Sequence, residues 1–161
     1  MFNYKISTVT KSFLLALLLT SLAAAKPARI PQSGLVVTPS ANDFETTVTR
    51  LNQAIENNKS LTLMLKLDHT QNATSVDLTL RPTTLFIFGN PKAGTPLMQE
   101  SATLGIDLPQ KILVVQDDSG VKLIYNDPTY LASRHDVSGQ KKRLQKIGSL
   151  LQTLADTAAS K

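Results

Sequence analysis

Histidine is the side chain best suited to moving a proton near neutral pH, and this 161-residue chain has two, His69 and His135. Each stands beside an acid, in Asp68-His69 and His135-Asp136. Two imidazoles and a carboxylate would suffice for a zinc or iron site. One reading is therefore a metal-dependent or His-based hydrolase that uses His69 and His135 with Asp68 or Asp136. The spacing matches no helical ligand motif, and no GxSxG elbow accompanies the histidines. Satisfied structural or surface imidazoles are the plainer expectation, and the sequence calls for no metal and no cofactor.

A second candidate is the loop Gly89-Asn90-Pro91-Lys92-Ala93-Gly94-Thr95-Pro96, directly after the apolar run Leu85-Phe86-Ile87-Phe88. Gly89 and Gly94 have the GxxxxG spacing of a phosphate-binding loop. Such a loop needs Lys-Ser or Lys-Thr after its second glycine, to reach the outer phosphates and hold magnesium. Here Thr95-Pro96 follows, and Pro91 removes a backbone donor, which excludes nucleotide hydrolysis. A simpler anion could still be held by Lys92, the N–H groups of Ala93 and Gly94, and a helix N-terminus opening at Thr95. A polar aromatic loop, Tyr125-Asn126-Asp127-Pro128 with Tyr130, follows a later strand, where turn and cap chemistry is the simpler reading. The candidate ligand site drawn from these segments is His69, Asn90, Lys92, Thr95, Asn126 and His135.

The elements that must position these residues follow from periodicity. Gly34 to Thr38 forms a short strand, and Ser40 or Asn42 caps a helix whose Phe44, Val48, Leu51 and Ile55 share one face. Leu61, Leu63, Leu65 and Leu67 alternate with polar residues as a half-buried strand, which would carry His69 on its apolar side. Val76 to Leu80 is a weak strand or irregular segment, and Thr84 to Phe88 a central strand. A short helix starts at Thr95-Pro96 and ends at Gly105. Lys111–Gln116 and Val121–Tyr125 form a hairpin about Asp117-Asp118-Ser119-Gly120. Asp127-Pro128 opens a helical turn. Ser138 caps a long helix with Leu144, Ile147, Leu151 and Leu154 on one face. The class is α+β: an antiparallel sheet with helices packed on one face and one long C-terminal helix. The other sheet face then needs cover by water, loops or a second copy.

Composition sets the compartment. Lys5 and Lys11, the apolar run Phe13–Leu19 and the small residues Ser21–Ala25 have the zones of a secretory signal peptide. Residues 1–25 are thus expected to be a signal peptide, 26–33 a flexible leader and 34–158 a single domain. That makes the protein periplasmic or secreted, without a stable membrane anchor, because the apolar run is shorter than the roughly 20 residues that span a bilayer. There is no cysteine, which excludes disulfides, thiol catalysis and thiolate metal sites. Cleavage takes Lys5 and Lys11 from a formal charge of +5, leaving an excess too mild for a nucleic-acid binder. The one basic concentration, Lys141-Lys142-Arg143 with Lys146, is a solvated helix face or a contact for an anionic lipid or polymer.

The stretch Thr84 to Met98 resembles the signature of the bacterial family catalogued as domain of unknown function 302. Asp68-His69, Ile106-Asp107-Leu108-Pro109, Tyr125-Asn126-Asp127-Pro128 and Tyr130-Leu131-Ala132-Ser133-Arg134-His135 follow the family's blocks in order. The resemblance spans roughly Leu35 to Leu154 and implies an α+β domain that tends to pair into dimers, with no established activity. Thr70-Gln71-Asn72-Ala73 departs from it, since small apolar residues are usual there. The combined expectation is an exported, non-catalytic module for a small ligand or anion, acting as a homodimer. A purely structural dimer is the further alternative.

Overall fold

A computed structural model describes residues 33–161; the expected signal peptide and all but the last residue of the leader lie outside them. Five strands form one sheet in the order β1-β5-β4-β3-β2, with every neighbouring pair antiparallel. They are β1 (Leu35–Pro39), β2 (Thr62–Asp68), β3 (Thr83–Gly89), β4 (Gln110–Asp117) and β5 (Gly120–Asn126). The helices are α1 (Phe44–Glu56), α2 (His69–Thr74), α3 (Pro91–Glu100), α4 (Pro128–Arg134) and α5 (Lys141–Ala159), with a 3₁₀ helix over Ala102–Ile106. This is the α+β architecture expected.

The core lies between the sheet and the two longest helices. Phe86 and Phe88 of β3, Ile112 and Val114 of β4, and Leu123 of β5 are fully buried on one sheet face. Against them pack Val48, Leu51 and Ile55 of α1 and Leu144, Ile147, Leu151 and Leu154 of α5. These are the apolar positions that the 3.6-residue period selects.

Caps differ from the sequence expectation in instructive ways. Asp43, not Ser40 or Asn42, caps α1 by accepting from Thr46 N at 2.7 Å. Asn42 instead donates its amide to the carbonyls of Ala158 and Ser160 at the end of α5, joining the start of one core helix to the end of the other. Ser138 makes no cap; its N–H and that of Gly139 donate to Glu100 Oε1. Those two N–H groups hold the Glu100 carboxyl below the usual carboxylate range.

Strand β2 is not the regular alternation that its four leucines suggest. Leu63 pairs with Phe88, but Leu65 already pairs with Ile87, so Met64 is an extra residue in a β-bulge. A one-residue shift turns every later side chain to the other face. Leu61 and Leu63 therefore pack on the core, whereas Leu65 and Leu67 stand opposite Ile87 and Leu85 on the open face. That face carries one apolar residue from each strand in a continuous row, Val37, Ile124, Leu113, Leu85 and Leu67. Val37 is 48% and Leu65 46% exposed.

Candidate functional site

Strand β3 ends at Gly89, and α3 begins two residues later, earlier than Thr95-Pro96 predicts. Asn90 is the N-cap and its side chain accepts from Lys92 N at 2.9 Å. Pro91 occupies the first turn, where its missing N–H costs nothing. The N–H groups of Ala93 and Gly94 donate to Asn90 O. These amides are thus engaged in the first helical turn rather than facing an anion. Gly89 lies against Pro109, whose Cβ is 3.4 Å from where a Gly89 Cβ would stand, so the strand end and the Leu108-Pro109 turn are in close approach.

Beginning α3 at Pro91 places Pro96 inside it. Proline has no N–H to give the carbonyl four residues back, so Lys92 O lacks its helical donor. Arg143 of α5 supplies one, with Nη1 donating to Lys92 O at 3.0 Å while its Nε donates to Gln140 Oε1. One member of the basic cluster is thereby a tie between α3 and α5.

Between these elements lies a cleft of about 350 Å³. Leu61 and Met64 line it from the bulged edge, Ala93, Thr95 and Met98 from α3, and Ile147 and Leu150 from α5. Leu108 and Pro109 close the side below the 3₁₀ helix, and the polar lining comes chiefly from Asn90, Thr95 and Gln110. Such an apolar, preformed concavity with a few polar groups is the usual form of a small-ligand site. A shallower hollow lined by Lys141, Lys142, Arg143 and Lys146 occupies the preceding turn of α5.

His135 lies elsewhere. It is the C-cap residue of α4, its side chain only 8% exposed. Nε2 is 2.7 Å from Asp107 Oδ2 and Nδ1 is 2.9 Å from Thr103 Oγ1. Arg134 also approaches Asp107, at 3.4 Å. The imidazole therefore joins the 3₁₀ helix to α4, and its acid is Asp107 rather than the adjacent Asp136. Asp136 takes the left-handed position after α4, with φ 57°, and Val137 N closes the turn on Ala132 O. An Asp–His–hydroxyl series has the order of a hydrolytic triad, but Thr103 is not among the residues lining the cleft.

The other candidates separate. Asp68 caps α2 by accepting from Gln71 N, so His69 opens a helix instead of extending the apolar side of β2. Asp68 stands opposite Thr84, while Pro109 adjoins Gly89, five residues or about 16 Å further along β3 at the usual strand rise. His69 and the His135–Asp107 pair thus sit toward opposite ends of the sheet, out of reach of one coordination sphere. Among the described residues no three His, Asp or Glu side chains gather as a metal would need. Asn126 ends β5 opposite Leu35. Asp127 caps α4 through Thr129 N and Tyr130 N, so this loop performs the turn chemistry read from it. Buried Tyr125 donates its hydroxyl to Gln152 at 2.8 Å; burial, then the charges of Asp156 and Asp127, push its pKa up to about 12. Of the six candidates, Asn90 and Thr95 meet at the cleft. The apolar lining has no mark in sequence, because leucine and methionine carry no polar chemistry that singles them out. Asp107 had one signal, its place in the Ile106–Pro109 block, and Thr103 had none.

Comparison with known proteins agrees with this architecture. The family model described as "Domain of unknown function DUF302" matches residues 36–154. A crystal structure of an uncharacterized conserved DUF302 protein from Bacillus stearothermophilus superposes with a TM-score of 0.69 at 18% identity, covering 78% of this chain and 98% of that one. The chain is also 41% identical over 111 residues to the fluoride-specific ion channel FluC 1 of Brucella suis, across 68% of this chain and 43% of that protein. FluC 2 of Brucella melitensis matches at 41% identity over 41% of its length. The chain thus spans less than half the length of these curated relatives.

Proposed function

Because the chain belongs to the DUF302 family, whose function is unknown, we propose that it is a non-catalytic small-ligand binding module that acts as a homodimer outside the cytoplasm. The observation that carries the reading is the apolar cleft at the β3–α3 junction, built from the stretch that marks the family. The cleft favours an apolar ligand over the free anion that Lys92 and the loop amides suggested. Pairing is supported by the apolar row on the open sheet face, because two-fold symmetry would lay that row on its own copy. Export rests on the signal-like N-terminus.

In the Brucella relatives the shared part would be an accessory to a channel. No helix among the described residues is long and apolar enough to cross a membrane. Native mass spectrometry of the protein purified from its own envelope tests the reading. A homodimer that retains or takes up a small ligand supports it; a monomer that takes up none refutes it. The Asp107–His135–Thr103 series favours a second reading, a hydrolase-type enzyme. Turnover of an activated ester that disappears in His135→Leu, with folding retained, would establish that alternative.

A further inference from the structure

Resting on the cleft as a ligand site, we propose that its ligand is a single-chain anionic amphiphile. The hydrocarbon tail lies in the cleft and the carboxylate or phosphate head meets the cations where α3 and α5 adjoin. The walls carry few polar groups, so a polar metabolite or bare inorganic anion would lose hydration there without replacement. The volume of about 350 Å³ falls at the small end of ligand cavities, about 300–1,000 Å³, which suits one alkyl chain rather than two.

The rim supplies charge of one sign. Lys92 lies between Pro91 and Ala93, both of which line the cleft. Arg143 is fixed beside it by the bond to Lys92 O. Lys146 is one helical turn from Leu150, and with Lys141, Lys142 and Arg143 it lines the adjoining hollow. Among the described residues none of these five cations has an ion-pair partner. Glu100, whose carboxylate lies against Gly139 of that hollow, is already bound by Ser138 and Gly139 N–H. An apolar cleft with cations lacking ion-pair partners on the neighbouring turns of α3 and α5 matches a molecule with an apolar tail and an anionic head.

Titration of the full chain with decanoate, dodecanoate, dodecyl phosphate and dodecanol, each below its aggregation concentration, tests this by displacement of a fluorescent fatty-acid probe. Both twelve-carbon anions should bind one per chain. Decanoate should bind roughly fifteenfold more weakly, because it lacks two methylenes and each one buried strengthens binding about fourfold. Dodecanol should also bind at least fivefold more weakly. The exposed pair Lys92→Glu and Lys146→Glu should weaken both anions about tenfold and leave dodecanol unchanged, and Thr95→Trp should block all four. Equal affinity for dodecanol and dodecanoate, with both lost in Thr95→Trp, overturns the amphiphile assignment while the cleft remains a ligand site. No displacement by any compound, from a chain with an unchanged circular dichroism spectrum, overturns both.

Discussion

Replacing His135 with leucine removes two hydrogen bonds without exposing the site to water, and the structure gives the size of the effect. The bond to Asp107 at 2.7 Å involves a carboxylate, for which about 1.5–3 kcal/mol is typical; the bond to Thr103 is an ordinary one, worth about 1 kcal/mol. Asp107 is only 16% exposed and keeps as ion-pair partner Arg134, which is itself 56% exposed and weak at such exposure, with the Lys111 amine bonded to its backbone carbonyl. His135→Leu should therefore cost about 3 kcal/mol. With a urea m-value of about 1.5 kcal/mol per molar, the unfolding midpoint would fall by about 2 M. Thr103→Val should cost about 1 kcal/mol or less, since that hydroxyl is at the surface. The Asp107→Leu variant completes a double-mutant cycle with His135→Leu, and the double variant should cost at least 1 kcal/mol less than the sum of the singles. A midpoint shift below about 0.3 M, or singles that simply add, would refute the view that this imidazole clamps α4 to the 3₁₀ helix.

The tie at Lys92 predicts a compensation: Arg143→Met should cost about 0.5–1 kcal/mol in the natural chain and almost nothing in Pro96→Ala, whose new N–H serves Lys92 O; thermal denaturation of the four variants checks it. Stability should fall as pH rises from about 10, where an unfolded tyrosine ionises, through about 12, where Tyr125 does; Tyr125→Phe should flatten that slope in chemical denaturation. Bonds from Lys122 and then Ser119 hold Asp117 well below the ordinary carboxylate range. Its stabilising share is therefore present above about pH 3.9 and lost as pH falls through its folded value; carbon-detected NMR should place its midpoint low, and Lys122→Met should raise it. Leu113→Glu, in the centre of the open face, should turn a dimer into a monomer in sedimentation velocity without loss of helix signal.

Much of the frame was legible from pattern. The hairpin of β4 and β5 was marked by turn residues, and the face of α5 by its period, because both signals are local. Thr95-Pro96 is a good cap-and-proline pair, yet Asn90-Pro91 is another five residues earlier and opens α3 first. A proline inside a helix reads as a boundary until a remote arginine is known to satisfy the freed carbonyl. His135 was paired with the acid beside it in sequence, whereas its partner lies 28 residues away and is chosen by packing. The cleft was invisible for a different reason: a concavity belongs to four separate segments, none with a local sign that it leaves a gap.

The bulge at Met64 makes the length of β2 a matter of parity. Removing that one residue would leave Leu63 opposite Phe88 and Leu65 opposite Ile87 in an unbroken ladder, so both halves of the strand would keep their faces. The open face would keep its edge leucines, but the cleft would lose the methionine beside Gly89. A one-residue deletion or insertion elsewhere in β2, by contrast, would exchange the faces of the residues beyond it. Chains of this fold could therefore exchange many side chains along β2, while an odd change in its length keeps both faces only at the bulge.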